Sequence, residues 1–229
     1  DPVAVSFNPR AHFMRRAAFA ARRMLSGGSA DVLQRLRRIG AGATLREQLA
    51  SCVEGAPISV RAEIHHVEHH DAHIASCFHL SPFERAAILS IDGMGDFVST
   101  VFARGRDTHA ETLSRIYFPH SLGFLYNAIT LYLGFPAYGD EYKVMGLAPY
   151  GKPEHLDQFR KIITTTPDGF ALNLEYFTHH RDGIAMSWKD SEPRVGSFHS
   201  KKLEQLLGPA LPPRSEVTAR EENIAASLQ

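Results

Sequence analysis

Five histidines fall within nine residues, at His65, His66, His69, His70 and His73. Neutral imidazole is the commonest borderline ligand for divalent transition metals. On a helix, residues four apart share a face, close enough for one cation to bridge two rings. His65/His69, His66/His70 and His69/His73 all have that spacing. One pair would ligate while its neighbours orient the site. Such a pair can equally be surface or packed histidine; the density of the run, with Glu68 and Asp71 inside it, is what favours a metal. A complete site needs a further ligand, and Asp92 is the candidate. It follows a short apolar run and opens a glycine turn, where α/β proteins place ligand chemistry.

That turn, Asp92-Gly93-Met94-Gly95-Asp96, has a second use. Two glycines let backbone amides approach a phosphate closely, and carboxylates beside a phosphate call for a cation. The plain alternative is a hairpin turn. A third cluster surrounds Asp140-Glu141-Tyr142-Lys143. Lys143 is a positive charge between glycine-bounded turns, suited to phosphate or carboxylate. Glu141 is suited to hold Lys143 or to bind a substrate amine or hydroxyl. A solvated helix start is the plainer reading of both.

The elements that must position these residues can be read from pattern. Val3 to Phe7 is a short β run ended by Asn8-Pro9. His12 to Leu25 reads as a helix, with further helices from Asp31 to Arg38 and from Thr44 to Cys52. The histidine run becomes helical from His69 and stops at Ser81-Pro82. Ala86 to Ile91 reads as a buried strand, and Phe97 to Arg104 as its returning partner. Ser121 to Tyr132 is a helix closed by Gly134-Phe135-Pro136, and Asp140 to Leu147 opens another. Pro167 to Ser200 reads as irregular, with one strand at Gly169 to Leu174, and Glu221 to Gln229 as a helix start.

Bulk composition narrows the class. The 229 residues, 44% hydrophobic and 22% charged, suit one large or two small globular domains. Lys plus Arg equal Asp plus Glu at 25 each, so no net field favours nucleic acid or membrane. Arginine dominates the charges between Arg10 and Arg46, which reads as a solvated helical face. Cys52 and Cys77 form no metal or disulfide framework and suit a cytoplasmic protein. No apolar run reaches membrane-spanning length. The opening Asp1-Pro2-Val3 and the ending Ala225-Ala226-Ser227-Leu228-Gln229 read as the middle of a longer protein.

Three segments together carry a resemblance. They are His69-His70-Asp71-Ala72-His73 with Ser81-Pro82-Phe83-Glu84; Ile91-Asp92-Gly93-Met94-Gly95-Asp96; and Glu141-Tyr142-Lys143-Val144-Met145-Gly146-Leu147-Ala148-Pro149-Tyr150-Gly151. They resemble the bacterial O-carbamoyltransferases of the nodulation-protein-U and cephalosporin-carbamoyltransferase type, densely from His65 to Pro153. The resemblance implies an α/β fold of the actin, Hsp70 and sugar-kinase (ribonuclease H-like) superfamily, incomplete at both ends. It implies a helical lead-in over 1–60, a metal- and nucleotide-site core over 61–153, and an irregular insertion with the next helix start over 154–229.

By that resemblance His69, His73 and Asp92 are the metal ligands, with Fe(II) the implied ion. Gly93, Gly95, Asp96, Glu141 and Lys143 fall to the bound nucleotide. The implied reaction makes carbamoyladenylate from carbamoyl phosphate and ATP, then moves the carbamoyl group to a hydroxyl of an antibiotic, sugar or nodulation factor. His70, Asp71 and Asp92 are the candidates for the general base. The partner regions would be a second subdomain and an adenylate-forming domain of the same protein, without which activity is not expected. The rival readings are a tRNA threonylcarbamoyl-transferase-like enzyme, a non-catalytic metal- or nucleotide-binding module, and an actin-like ATPase.

Overall fold

The computed structural model describes residues 2–25, 63–189 and 191–229. The helices expected at 31–38 and 44–52, and Cys52, lie outside the described residues. Among the described residues the fold is mixed α/β, with several small sheets. The chain divides into two compact units. The first comprises Asp1–Ser90 and Met94–Ser114, the second Ile91–Gly93 and Arg115–Gln229.

In the first unit, strand β1 (Val3–Val5) runs parallel to β2 (Ile64–His66), pairing Val3 with Ile64 and Val5 with His66. Helix α1 (Phe13–Leu25) follows β1, and helix α2 (His69–Phe78) follows β2 after only two residues. The strand at 64–66 was hidden in the sequence because three residues carry too little alternation to register. Its presence removes two of the three histidine pairs: His65 and His66 are in a strand, so only His69 and His73 stand one helical turn apart.

Helix α2 has a definite start. The Glu68 side chain accepts from the Asp71 amide at 2.9 Å, capping a donor the helix cannot satisfy itself. Its buried side, His70, Ile74 and Phe78, follows the i, i+4, i+8 spacing of one face. Phe78 meets β4 where Gly105 lacks a side chain; a Cβ there would lie 2.3 Å from the Phe78 ring.

Strands β3 (Arg85–Gly95), β4 (Val98–Arg106) and β5 (His109–Tyr117) form a sheet in that order, joined by two-residue links. The first link is Asp96-Phe97, both at positive φ (50° and 76°), the twist a two-residue hairpin needs. Phe97 is held there by an edge-on contact with Phe19 of α1, centroids 5.7 Å apart. Two sequence expectations change here. The strand continues four residues beyond Ile91, so Gly93 and Gly95 lie within β3, and the turn is Asp96-Phe97. The third strand, β5, was not foreseen.

The second unit is built around helix α3 (Leu122–Tyr132), whose Leu125, Ala128, Ile129 and Tyr132 face inward at helical spacing. They pack with Ile162, Phe177, Phe198, Leu203 and Ile224, all essentially buried. Ser121 caps α3, accepting from the Phe124 amide at 3.0 Å, and Gly134 ends it at φ 83°. Helix α4 (Glu141–Leu147) is the element expected there. The region expected to be irregular is more ordered. It holds helix α5 (Leu156–Ile162) and two antiparallel hairpins, Ile163–Thr166 with Gly169–Leu172 and Met186–Lys189 with Glu192–Val195. Helix α6 (Ala219–Leu228) begins with a capping box between Thr218 and Glu221. It rests on Gly151, where a Cβ would meet the Glu222 carbonyl oxygen at 2.0 Å.

Candidate metal centre

His69 and His73 project from consecutive turns of α2 with their Nε2 atoms 3.0 Å apart and their rings nearly perpendicular, at 80°. Asp92, on β3, is the carboxylate that the sequence offers as the third ligand. His69 and Asp92 are half-buried and His73 is exposed. Two nitrogens each about 2.1 Å from one ion, at right angles, stand about 3.0 Å apart, whereas a tetrahedral pair stands about 3.4 Å apart. The observed spacing fits adjacent positions on a six-coordinate ion, and it also serves a ring-to-ring hydrogen bond. Two imidazoles and one carboxylate are the donor set of non-haem Fe(II) sites.

The surroundings fix His69 more tightly than its partner. Its Nδ1 lies 3.3 Å from the Ser6 carbonyl oxygen, so an Nδ1–H donated there leaves the Nε2 lone pair for a ligand role. Its main-chain N–H donates to Asp96 at 3.0 Å. A Cβ at Gly95 would stand 1.9 Å from its ring, so glycine is the residue that lets β3 pass beneath it. This is a steric reason for a glycine that the sequence offered for phosphate approach or for a hairpin turn.

Asp96 is buried, and its carboxylate is taken up inside the first unit. One oxygen accepts from the Asn8 amide at 2.8 Å and from His69, and the other from Arg16 at 3.3 Å. The structure therefore shows Asp96 as the anchor of the helix start. Arg16, expected on a solvated face, turns inward to it.

His70 is fully buried. Its Nδ1 meets the Ser90 hydroxyl at 2.8 Å and its Nε2 the Val98 carbonyl oxygen at 3.1 Å. A carbonyl can only accept, so Nε2 carries the proton and Nδ1 accepts from Ser90. Both nitrogens are thus committed to the fold. Asp71 is exposed in the first turn of α2, where a carboxylate favours the helix dipole.

Asp92 Oδ1 accepts from the following amide, Gly93, at 2.6 Å. The Ser121 hydroxyl lies 2.7 Å from the Gly93 carbonyl oxygen and 3.2 Å from that of Asp92. The hydroxyl that caps α3 therefore also holds this stretch of β3. Gly93 and Gly123 provide for that approach, since a Cβ on Gly123 would lie 2.7 Å from the Gly93 nitrogen.

Lys143 pairs with the buried Asp140 at 2.6 Å, and Glu141 accepts from the Asn127 amide at 2.5 Å. Asp140, three residues before Lys143, is a carboxylate that pairs with it, beside the Glu141 that the sequence offered for that place. Asp140 carried no motif signal of its own. Among the described residues no helix is long and apolar enough to cross a membrane.

The comparisons with known proteins agree with the motif reading. The chain is 41% identical over 165 residues to the uncharacterized protein sll1178 of Synechocystis, covering 71% of this chain and 25% of that protein. It is 44% identical over 109 residues to nodulation protein NolNO of Sinorhizobium fredii, covering 47% of this chain and 16% of the relative. It is 43% identical over 97 residues to nodulation protein NolO of Bradyrhizobium diazoefficiens, covering 42% and 17%. The chain thus spans a quarter or less of the length of these relatives. The family model for the carbamoyltransferase N-terminus matches residues 10–229. With nearly the whole chain covered, this protein belongs to the carbamoyltransferase N-terminus family.

Proposed function

We propose that His69, His73 and Asp92 hold a divalent cation, Fe(II) by their donor set, in an O-carbamoyltransferase. The carbamoyl group would pass from carbamoyladenylate, made in the cytoplasm from carbamoyl phosphate and ATP, to a hydroxyl of a small molecule such as an antibiotic, sugar or nodulation factor. The observation that carries this reading is the approach of the two Nε2 atoms to 3.0 Å on one helical face. A bound cation would act there as a Lewis acid on the carbamoyl carbonyl.

The residues of this chain divide the remaining work. Ser6 and Asp96 set the ring and main chain of His69. Gly95 gives that ring its room. A hydroxyl nucleophile needs a proton acceptor. Asp71 suits that role because it is exposed, whereas His70 has both nitrogens committed and Asp92 is assigned to the cation. Lys143 and Glu141 are assigned to the nucleotide by family resemblance, as are Gly93 and Gly95 through the close approach they permit. The order of a three-strand meander followed by α3 supports the ribonuclease H-like reading. His69→Ala in the intact protein should abolish both cation binding and carbamoyl transfer. Transfer that persists after the cation is lost would overturn the assignment.

A further inference from the structure

The second unit contains a cavity of about 330 Å³ beside the start of α4. Lys143, Arg194 and Arg214 all line it, with Asp140 as the one carboxylate among the described lining residues. Asp140 is already matched by Lys143 at 2.6 Å and by the Ala137 amide at 3.0 Å. Among the described lining residues two guanidinium charges therefore remain in excess. Arg194 is set by its backbone, which bridges to Ala137, while the Tyr138 amide donates to Pro193 at 3.0 Å. Its Nε is buried and, among the described residues, meets no hydrogen-bond acceptor. Buried donors in native structures nearly always have a partner, so this Nε is available to a group that enters the cavity. Arg214 stands exposed in a positive-φ conformation, 66°, that is sparse for a residue with a side chain.

We propose that this cavity binds the phosphomonoester group of a small organic phosphate. Two guanidinium forks match a phosphate dianion in charge and in bidentate geometry, where a single carboxylate would leave one charge unmatched. The remaining walls, including Leu133, Phe135 and Val217, are apolar and suit the organic part of the ligand. The volume lies at the small end of the range for organic-ligand sites. Every lining residue belongs to the second unit, so the inference does not rest on the histidine centre.

The test is calorimetric titration of the full chain with inorganic phosphate, glucose 6-phosphate and glucose, at constant ionic strength set with chloride. Saturable binding of both phosphates, tighter for the sugar phosphate and absent for glucose, is expected. Arg194→Gln and Arg214→Gln should each weaken it about tenfold or more, the loss of a charged hydrogen-bond partner. His69→Ala should leave it unchanged, which separates this site from the cation reading. If Arg194→Gln fails to fold by circular dichroism, Arg214→Gln decides, because its side chain is exposed. Absence of phosphate binding, or binding indifferent to the arginines, overturns the proposal. Equal affinity for phosphate and sugar phosphate overturns the organic ligand.

Discussion

Gly95→Ala tests the centre without touching a ligand atom. The added Cβ would lie 1.9 Å from His69 Cδ2, 2.2 Å from Cγ and 2.7 Å from Cβ. Swinging the imidazole relieves the first two contacts and abandons the approach to His73. It cannot relieve the third, because His69 Cβ does not move with the ring. Carbon atoms rest at about 3.5 Å or more, so β3 and α2 must separate by about 0.8 Å at that point. Overpacking of this kind typically costs about 1–3 kcal/mol. For a chain of this size that lowers the melting temperature by about 2–12 °C. Disturbing a group that orients a ligand weakens metal binding by about 10–100-fold. Anaerobic Fe(II) titration and thermal unfolding monitored by circular dichroism measure both. Wild-type cation affinity together with an unshifted melting temperature would refute the claim that Gly95 makes room for His69.

Two further outcomes follow from buried groups. Asp96→Asn removes the charge that Arg16 and two main-chain amides address. It should destabilise the protein by about 1–3 kcal/mol, measured by urea unfolding at neutral pH, and weaken Fe(II) binding in parallel. His179 is buried among Phe118, Phe124, Phe177 and Phe198, and burial holds its pKa down to about 4 against the ordinary 6.5. The unfolded chain therefore takes up this proton before the folded one does. The stability it contributes is present above pH 6.5 and is lost as pH falls from there toward 4. Between pH 7 and 5 that loss is about 2 kcal/mol, and His179→Phe should flatten the urea-unfolding profile by that amount. An identical profile would exclude His179 as its source.

The ligand helix was legible because its signal is local. Imidazoles four apart at His69 and His73, apolar Ala72, Ala75 and Phe78 and the Ser81-Pro82 stop all lie within fourteen residues. His65 and His66 misled for the same reason: side-chain spacing looks helical until a partner strand, sixty residues away at Val3–Val5, claims the backbone. Glycine is ambiguous by nature. Gly93 and Gly95 read as a turn because glycine usually breaks regular structure, yet here it admits a helix and a ring against a strand. The true turn falls on Asp96-Phe97, and no single sequence nominates phenylalanine for positive φ. The roles of Asp96, Asp140 and Arg194 depend on contacts between segments far apart in the chain, which carry no periodicity. Of the hairpins after Ile162 only the strand from Gly169 was read from sequence; its partner Ile163–Thr166 and the pair Met186–Lys189 with Glu192–Val195 were missed, because strands of four residues carry too little alternation to register.

The carboxylate of Asp96 joins three stretches of chain: the segment that follows the first strand, the opening turn of α1 and, more than fifty residues further on, the histidine helix. An ordering of events follows. Until the opening sixteen residues have docked, Asp96 lacks Asn8 and Arg16, and Ser6 is not there to meet Nδ1 of His69. If His69 and His73 hold a cation as proposed, a chain whose opening segment has not docked should bind it more weakly than the folded protein.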